Sequence, residues 1–174
     1  LDGTAAVRET RRTLSERLNN KPVLAFGRGD AAVGAAAQPS SLIAAALPLN
    51  VKLLTLKNMP AEDGHSGGML LRLAHLYEAG ESDTLSLPAT VSLARVFAAA
   101  TFKLVAAEEW TLTANQPLAA LQAARAKLSP WKVSDKYATT AIAHVPFNST
   151  DASFNVTLAP MAVRTFIVHF AQRQ

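Results

Sequence analysis

The chain of 174 residues is long enough for one domain, or for one domain with part of a second. Hydrophobic residues make up 49% of it and charged residues 17%, a balance that allows a sizeable core and excludes wholesale disorder. The formal charge of +4 is a small excess, and the absence of cysteine excludes disulfides, thiolate catalysis and cysteine-based zinc sites.

The first forty residues predict a basic helix followed by a linker. In residues 4–18 the apolar side chains Val7, Leu14 and Leu18 recur on one side of a helix. Much of the positive charge lies here without interleaved aromatic residues, which favours a solvated helix face over a nucleic-acid site. Residues 27–41 are rich in glycine and alanine without periodicity, and they predict a linker or long loop.

Five later segments predict β-strands. The clearest is residues 85–93, where apolar and polar residues alternate as in a strand with one face in water. Pro88 lies in the polar series, which suits an edge strand or a bulge. Residues 70–77 are bounded by turn signals and are short for a helix, so a strand is favoured there as well. Weaker patterns predict strands at residues 50–58, 102–113 and 153–170.

One helical segment interrupts this series at residues 117–128, where Pro117 occupies a first-turn position and leucines follow at helical spacing. The predicted fold class is therefore all-β, an antiparallel β-sandwich over residues 42–174 with one short helix. Residues 1–41 form an N-terminal helical or irregular segment and linker, interpreted as the tail of a preceding domain.

The side chains available for catalysis match no known constellation. Histidines at positions 65, 75, 144 and 169 lack metal-ligand spacing, so neither a metal site nor a cofactor is predicted in this chain. Adjacent Glu108 and Glu109 would point to opposite sides of a strand and cannot flank a scissile bond. No G-x-S-x-G elbow is present. We therefore assign no catalytic residue, and His75 is interpreted as a histidine bonded to nearby backbone.

Two N-glycosylation sequons stand close together, at Asn148 and Asn155. If the residues flanking Asn155 face the core, its side chain faces solvent, where a bulky glycan fits. The sequons favour passage through the secretory pathway. No run of eighteen apolar residues is present, so no membrane-spanning segment is predicted.

Five segments carry a resemblance to a known family. They read VKLLTLKN, MLLRLAHLYEAGE, LSLPATVSLARVF, WTLTANQPLAAL and FNVTLAPMAVRTFIV. In this order they resemble the C-terminal region of lysosomal, class II alpha-mannosidases. The last segment is the most specific, because it resembles a C-terminal signature in which a sequon leads into a Pro-Met-x-x-Arg-Thr-Phe strand. The resemblance covers residues 50–172 with interruptions at 59–68 and 130–150.

The resemblance implies that this chain is a non-catalytic piece of a larger enzyme. Class II alpha-mannosidases are retaining glycosidases that remove terminal alpha-linked mannose from N-glycans in the lysosome or secretory pathway. Their aspartate nucleophile and zinc ion lie in an N-terminal domain, and this chain resembles the C-terminal β-domain. The expected partners are the catalytic and upstream β domains, with mannose-containing glycans bound through the parent enzyme. The chain alone is expected to be inactive.

The resemblance also implies a contact between this chain and the substrate of the parent enzyme. The strand with Arg72 and His75 resembles the segment from which the β domains of the family reach the rim of the active site. In that role His75 would donate a hydrogen bond to substrate hydroxyls. The favoured alternative is that Arg72 and His75 only stabilise the sheet.

Two other functions remain open at this point. A free-standing carbohydrate-binding β-sandwich would present an aromatic platform to a sugar ring. The candidates for such a platform are Trp110, Trp131, Tyr77 and Tyr137. Residues 28–30 read Arg-Gly-Asp, an integrin-binding tripeptide, but matches of this length arise often by chance.

Overall fold

The computed structural model describes residues 5–22, 42–60, 68–98, 102–128 and 145–172. Within these ranges the chain forms three helices and six strands. The helices are α1 (Ala5–Asn19), α2 (Leu93–Val96) and α3 (Leu118–Ala126). The strands are β1 (Val51–Asn58), β2 (Met69–His75), β3 (Ala89–Ser92), β4 (Phe102–Trp110), β5 (Asn155–Leu158) and β6 (Val163–Gln172).

The larger of two sheets has four strands in the order β1-β2-β6-β4, and all its neighbours are antiparallel. Both edge strands contain an irregularity, at Leu54 in β1 and at Val105 in β4. Each extra residue turns an apolar side chain toward solvent, as a β-bulge does. Bulged edges resist pairing with the edge strand of another molecule.

The smaller sheet pairs β3 with β5 and lies over one face of the larger sheet. The core between them contains Leu71 and Phe166 from the larger sheet, Val156 and Leu158 from the smaller, and Phe97 after α2. A second, smaller cluster buries the opposite face of the central strands around Leu70, Ala114 and Ile167. Because β2 is largely buried on both faces, most of its residues are apolar and the sequence does not alternate; Arg72 and His75 are the polar exceptions. The two layers confirm the all-β sandwich.

The alternating segment 85–93 is only partly a strand. Residues 83–86 form a turn in which the Ser82 hydroxyl accepts a hydrogen bond from the backbone N–H of Leu85 at 3.1 Å. At the other end the Ser92 hydroxyl caps α2 by accepting from the N–H of Arg95 at 3.3 Å. These local bonds compete with the sheet and confine β3 to four residues. The predicted strand with an apolar buried face and a polar wet face is wrong before β3, where the apolar Leu87 is exposed and the polar Ser86 is buried.

Other boundaries differ by a few residues. The strand predicted to reach residue 113 ends at Trp110, and α3 lies within the predicted 117–128. The predicted N-terminal helix is α1, whereas the linker and its Arg-Gly-Asp tripeptide lie outside the described residues. A domain boundary at residue 41 stays a prediction. Among the helices described, none combines the length and apolar character needed to cross a bilayer.

Candidate functional site

The most polar part of the interior is an ion pair between β6 and β4. Arg164, with 5% of its side chain exposed, donates from Nε to Glu109 Oε1 at 2.7 Å and from Nη2 to Glu109 Oε2 at 2.6 Å. Two parallel hydrogen bonds of this kind fix orientation as well as charge. The carboxylate of Glu109 is therefore committed to the arginine and is poorly placed for acid–base chemistry.

The same arginine also links the two sheets. Its Nη1 donates to the backbone carbonyl of Thr157 in β5 at 2.8 Å. Its guanidinium lies 5.6 Å from the centre of the Phe166 ring, a cation–π distance. Arg164 thus connects β6 and β4 of the larger sheet with β5 of the smaller one. We call this group the interlayer arginine cluster (Arg164, Glu109, Thr157 and Phe166).

His75 lies at the end of β2 and is 3% exposed. Its Nδ1 is 3.2 Å from the N–H of Tyr77 and 3.0 Å from the Tyr77 carbonyl. Its Nε2 is 2.9 Å from the Leu87 carbonyl and 3.2 Å from Asn50 Nδ2. In either neutral tautomer, each ring nitrogen has a backbone or side-chain partner. A contact with substrate would require one of these bonds to open, and that contact stays a prediction.

Asn50 extends the histidine network into the turn before β3. Its side-chain amide donates to the carbonyls of Leu85 at 3.1 Å and Leu87 at 3.3 Å. Asn50 and His75 together hold the chain between β2 and β3 against the start of β1. Buried polar groups of this kind fix one arrangement of a loop, because each lost partner leaves a desolvated group.

Arg72 lies on the outer face of β2, opposite the sandwich core. Its Nε and Nη2 donate to the carbonyl of Leu112 at 3.2 and 3.0 Å. Leu112 belongs to the turn after β4, so Arg72 ties that turn to the sheet. The structure does not bring Arg72 and His75 into one cluster. The role of Arg72 in substrate contact stays a prediction.

Both sequon asparagines are exposed. The side-chain oxygen of Asn148 accepts from the N–H of Thr150 at 3.0 Å and from its hydroxyl at 2.7 Å, so this sequon forms a compact turn. Asn155 begins β5, and its Nδ2 donates to Asp151 Oδ2 at 3.1 Å. The neighbouring Val156 is buried, so the expected alternation is present at this strand.

The aromatic side chains that the structure describes do not form a platform. Tyr77 is buried, and Trp110 is half-buried against the second cluster with its indole N–H donating to Glu108 Oε2 at 2.8 Å. Trp131 and Tyr137 lie outside the described residues. Among the residues described, no three histidine, aspartate or glutamate side chains group closely enough to hold a metal ion.

A further polar contact attaches α1 to the sandwich. Arg12 donates from Nε and Nη2 to the two carboxylate oxygens of Glu81, each at 2.8 Å. These hydrogen bonds hold the pKa of Glu81 below its ordinary value, and the N–H of Glu78 adds to the effect. The same pairing raises the pKa of Arg12. Burial raises the pKa of Tyr77, which lies beside this contact.

Several of these residues were not singled out from the sequence. Arg164 is a lone charge in an apolar strand, which is a usable signal for a buried ion pair. Its partner Glu109 lies 55 residues away, and nothing local links the two. Asn50 and Glu81 belong to no recognisable sequence motif. Their importance depends on long-range packing.

A comparison with known families matches residues 50–166 to the glycosyl hydrolases family 38 C-terminal beta sandwich domain. The chain belongs to this family. The matched range includes β1 to β5, the beginning of β6 up to Phe166, and the interlayer arginine cluster.

Individual relatives of this family 38 domain are alpha-mannosidases. A probable alpha-mannosidase of Arabidopsis thaliana is 37% identical over 129 residues, which are 74% of this chain and 11% of that protein. An alpha-mannosidase of Canavalia ensiformis is 36% identical, covering 71% of this chain and 11% of that protein. The lysosomal alpha-mannosidase of Bos taurus is 37% identical, covering 70% and 11%. The chain thus spans about a tenth of the length of these curated relatives.

Proposed function

We propose that this chain is the C-terminal, non-catalytic β-domain of an alpha-mannosidase and supports the catalytic part of that enzyme. The observation that carries the proposal is the family match over residues 50–166, together with relatives of which the chain covers only 10–17%. A domain of this size cannot contain the whole hydrolase of its relatives. The buried polar side chains described above bond to neighbouring strands, to the other sheet or to nearby turns.

The chemistry of the described carboxylates supports inactivity of the chain alone. Glycoside hydrolysis needs two carboxyl groups on opposite sides of the scissile bond, or a metal that polarises the sugar. Glu109 is held by Arg164, Glu81 is held by Arg12, and Glu108 accepts from Trp110. Each of these carboxylates is thus held by a neighbouring side chain.

The test is hydrolysis of a chromogenic alpha-mannoside with added zinc. We expect release by the complete polypeptide that carries this chain and none by the 174 residues alone. Turnover by the chain alone would contradict its non-catalytic role. Absence of turnover by a folded complete polypeptide would contradict the assignment to an alpha-mannosidase.

We further propose that the parent enzyme is zinc-dependent and retaining. The described residues offer no set of side chains suited to zinc, so the ion would be bound in the catalytic part. Chelation should abolish hydrolysis by the complete enzyme, and zinc should restore it. The first sugar released should have the same anomeric configuration as the substrate, which proton NMR measures.

The proposed location is the lysosome or the secretory pathway. Exposed sequons at Asn148 and Asn155 support it, as do relatives that include lysosomal alpha-mannosidases of Cavia porcellus and Bos taurus. Other relatives are plant or epididymis-specific enzymes, so the finer choice between lysosome and secretion rests on localising the full protein.

A substrate contact by His75 or Arg72 can be tested separately from the role of the domain. In the complete enzyme, Arg72→Ala or His75→Gln should raise KM if the residue touches the glycan. If the residue only stabilises the sheet, Tm should fall while KM stays unchanged. The two measurements on the same variants separate these roles.

A further inference from the structure

Helix α1 contacts the sandwich through polar side chains. Arg12 is bonded to Glu81, Glu9 accepts a hydrogen bond from the Ser82 hydroxyl, and Glu16 forms a salt bridge with Lys52. Positions 9, 12 and 16 are spaced by three and four residues, so they share one face of the helix. A gap of about 410 Å³ lies between this face and the sandwich. Long polar side chains therefore bridge the gap between the helix and the sandwich, and the helix backbone does not pack directly on the sheet.

The opposite face of α1 is exposed and mainly apolar, and only its N-terminal end, at Val7 and Arg11, lies beside residues 78–81 of the sandwich. Val7, Arg11, Leu14 and Leu18 recur at intervals of four, three and four residues, and we call them the outer stripe of α1. The exposed fractions are 59% for Val7, 52% for Leu14 and 68% for Leu18. An amphipathic helix on a domain surface ordinarily buries its apolar side. This helix does the reverse, and the spacing is that of a seam between packed helices.

The charged residues of α1 beside the outer stripe are positive, and the nearest carboxylates of the sandwich, Glu78 and Glu81, lie across a gap from Val7 and Arg11 at one end of it. Arg8 and Arg17 flank it and Arg11 lies within it, and all three are exposed. Within the described ranges none of the three forms a salt bridge. A surface that buries the stripe therefore has to be apolar at its centre and to carry carboxylates at its edge.

We propose that the outer stripe of α1 is the surface by which this domain docks onto the preceding part of the same alpha-mannosidase polypeptide. The proposal rests on the proposed function. The family domain is C-terminal by description, and the relatives are several times longer than this chain, so most of such a protein lies before it. The helix then joins two bodies, with its polar face on the sandwich and its apolar face on the partner.

The absence of cysteine provides a direct test. Leu14→Cys places a thiol in the outer stripe, and Leu128→Cys is the matched control because Leu128 is an exposed leucine, 69% accessible, after α3. Maleimide labelling of each thiol is followed by peptide mass spectrometry, both in the 174-residue chain and in the complete polypeptide. Amide hydrogen exchange of the two sheets shows that each variant is folded.

In the chain alone we expect the two thiols to react at similar rates. In the complete polypeptide the Leu14→Cys thiol should react at least about tenfold more slowly, because a buried group reacts only when its interface opens. The Leu128→Cys thiol should keep its rate. Leu18→Cys should repeat the result for Leu14→Cys, which guards against an effect of one substitution on local folding.

Three outcomes overturn the proposal. Equal Leu14→Cys labelling in both proteins means that the stripe stays exposed. Protection already present in the dilute chain alone means that residues 23–41 or another part of the same chain covers it. Protection that grows with the concentration of the chain means that a second copy covers it. Failure of the proposed function is a separate result. It would be seen as absence of mannosidase activity in the complete polypeptide, whatever the rate at which the thiols are labelled.

Discussion

Arg164 and Glu109 are bonded through two parallel hydrogen bonds inside the sandwich, although they belong to neighbouring strands 55 residues apart in sequence. The third arm of the arginine reaches the carbonyl of Thr157 in the other sheet. One side chain therefore fixes both the pairing of β4 with β6 and the contact between layers. Removing either charged partner leaves the other desolvated without compensation.

Arg164→Met should be among the most damaging single substitutions in the chain. Breaking a buried pair by removing one partner costs about 3–5 kcal/mol of the free energy of unfolding, measured by urea denaturation. Arg164→Lys should recover only part of this, because an ammonium group cannot make the paired bonds. Arg95→Met, at an exposed arginine of α2, is the control and should change stability little. Equal effects at both positions would contradict the role assigned to Arg164.

The hydrophobic core makes a second prediction. Leu158 in β5 is fully buried between the sheets, so Leu158→Ala should lower the free energy of unfolding by about 2–5 kcal/mol. Leu54→Ala removes the same atoms from the exposed bulge of β1 and should stay within about 0.5 kcal/mol of the original protein. Similar losses in urea unfolding would show that the two layers do not pack as described.

Asn50 allows a test of the histidine network. Asn50→Ala leaves the carbonyls of Leu85 and Leu87 without their side-chain donor and should cost about 1–3 kcal/mol. Asn58→Ala, at the exposed far end of β1, is the matched control. Hydrogen exchange should show faster opening of residues 83–87 in Asn50→Ala alone. Unchanged exchange there would mean that Asn50 does not hold this turn.

The contact of α1 should depend on pH through Glu81. Since the folded-state pKa of Glu81 lies below its ordinary value of 4.5, its stabilising effect is fully present above that value. The effect is lost as pH falls through the lowered folded-state pKa. Glu81→Gln should therefore speed amide exchange of α1 near neutral pH, and the difference from the original chain should vanish in strong acid. A difference that persists there would contradict this contact.

Arg12→Gln tests the same ion pair from the side of the arginine. The double variant Arg12→Gln/Glu81→Gln should resemble either single variant, because both remove the same interaction. Additive effects of the two substitutions would show that the residues act independently.

The sequons make the fifth prediction. Expression in a secretory eukaryotic host should attach a glycan at both Asn148 and Asn155, since both side chains are exposed. Asn148→Gln and Asn155→Gln should each remove one glycan, seen as a mobility shift lost on enzymatic deglycosylation. Asn115→Gln, outside any sequon, should leave the shift intact. An unshifted original protein would contradict the proposed passage through the secretory pathway.

The sequence correctly predicted helices and strands whose formation depends on residues close together in the chain. Helix α3 follows from Pro117 and its leucines, and β2 follows from a short apolar run between turns. The pattern failed at residues 85–93 because Ser82 and Ser92 bond to nearby backbone, a choice that alternation of hydrophobicity does not encode.

The polar contacts could not be predicted from the sequence for a different reason. The pairs Arg164–Glu109 and Arg12–Glu81 join residues that are 55 and 69 positions apart. Their meeting is a property of the assembled layers, and no spacing rule connects them. The resemblance to alpha-mannosidases predicted the glycosyl hydrolase family. Its signature strand contains Arg164, but the resemblance pointed only to His75 and Arg72 as contacts and gave no partner for Arg164.

The order of strands has a consequence for folding of this domain during its synthesis on the ribosome. Strand β6 lies between β2 and β4 in the larger sheet, yet it follows every other strand in the chain. The β1–β2 hairpin can form early, whereas β4 has no partner in its sheet until Val163 and the residues after it emerge. Nascent chains stalled before that point would present unpaired strand edges, and they are the species for which chaperones should compete.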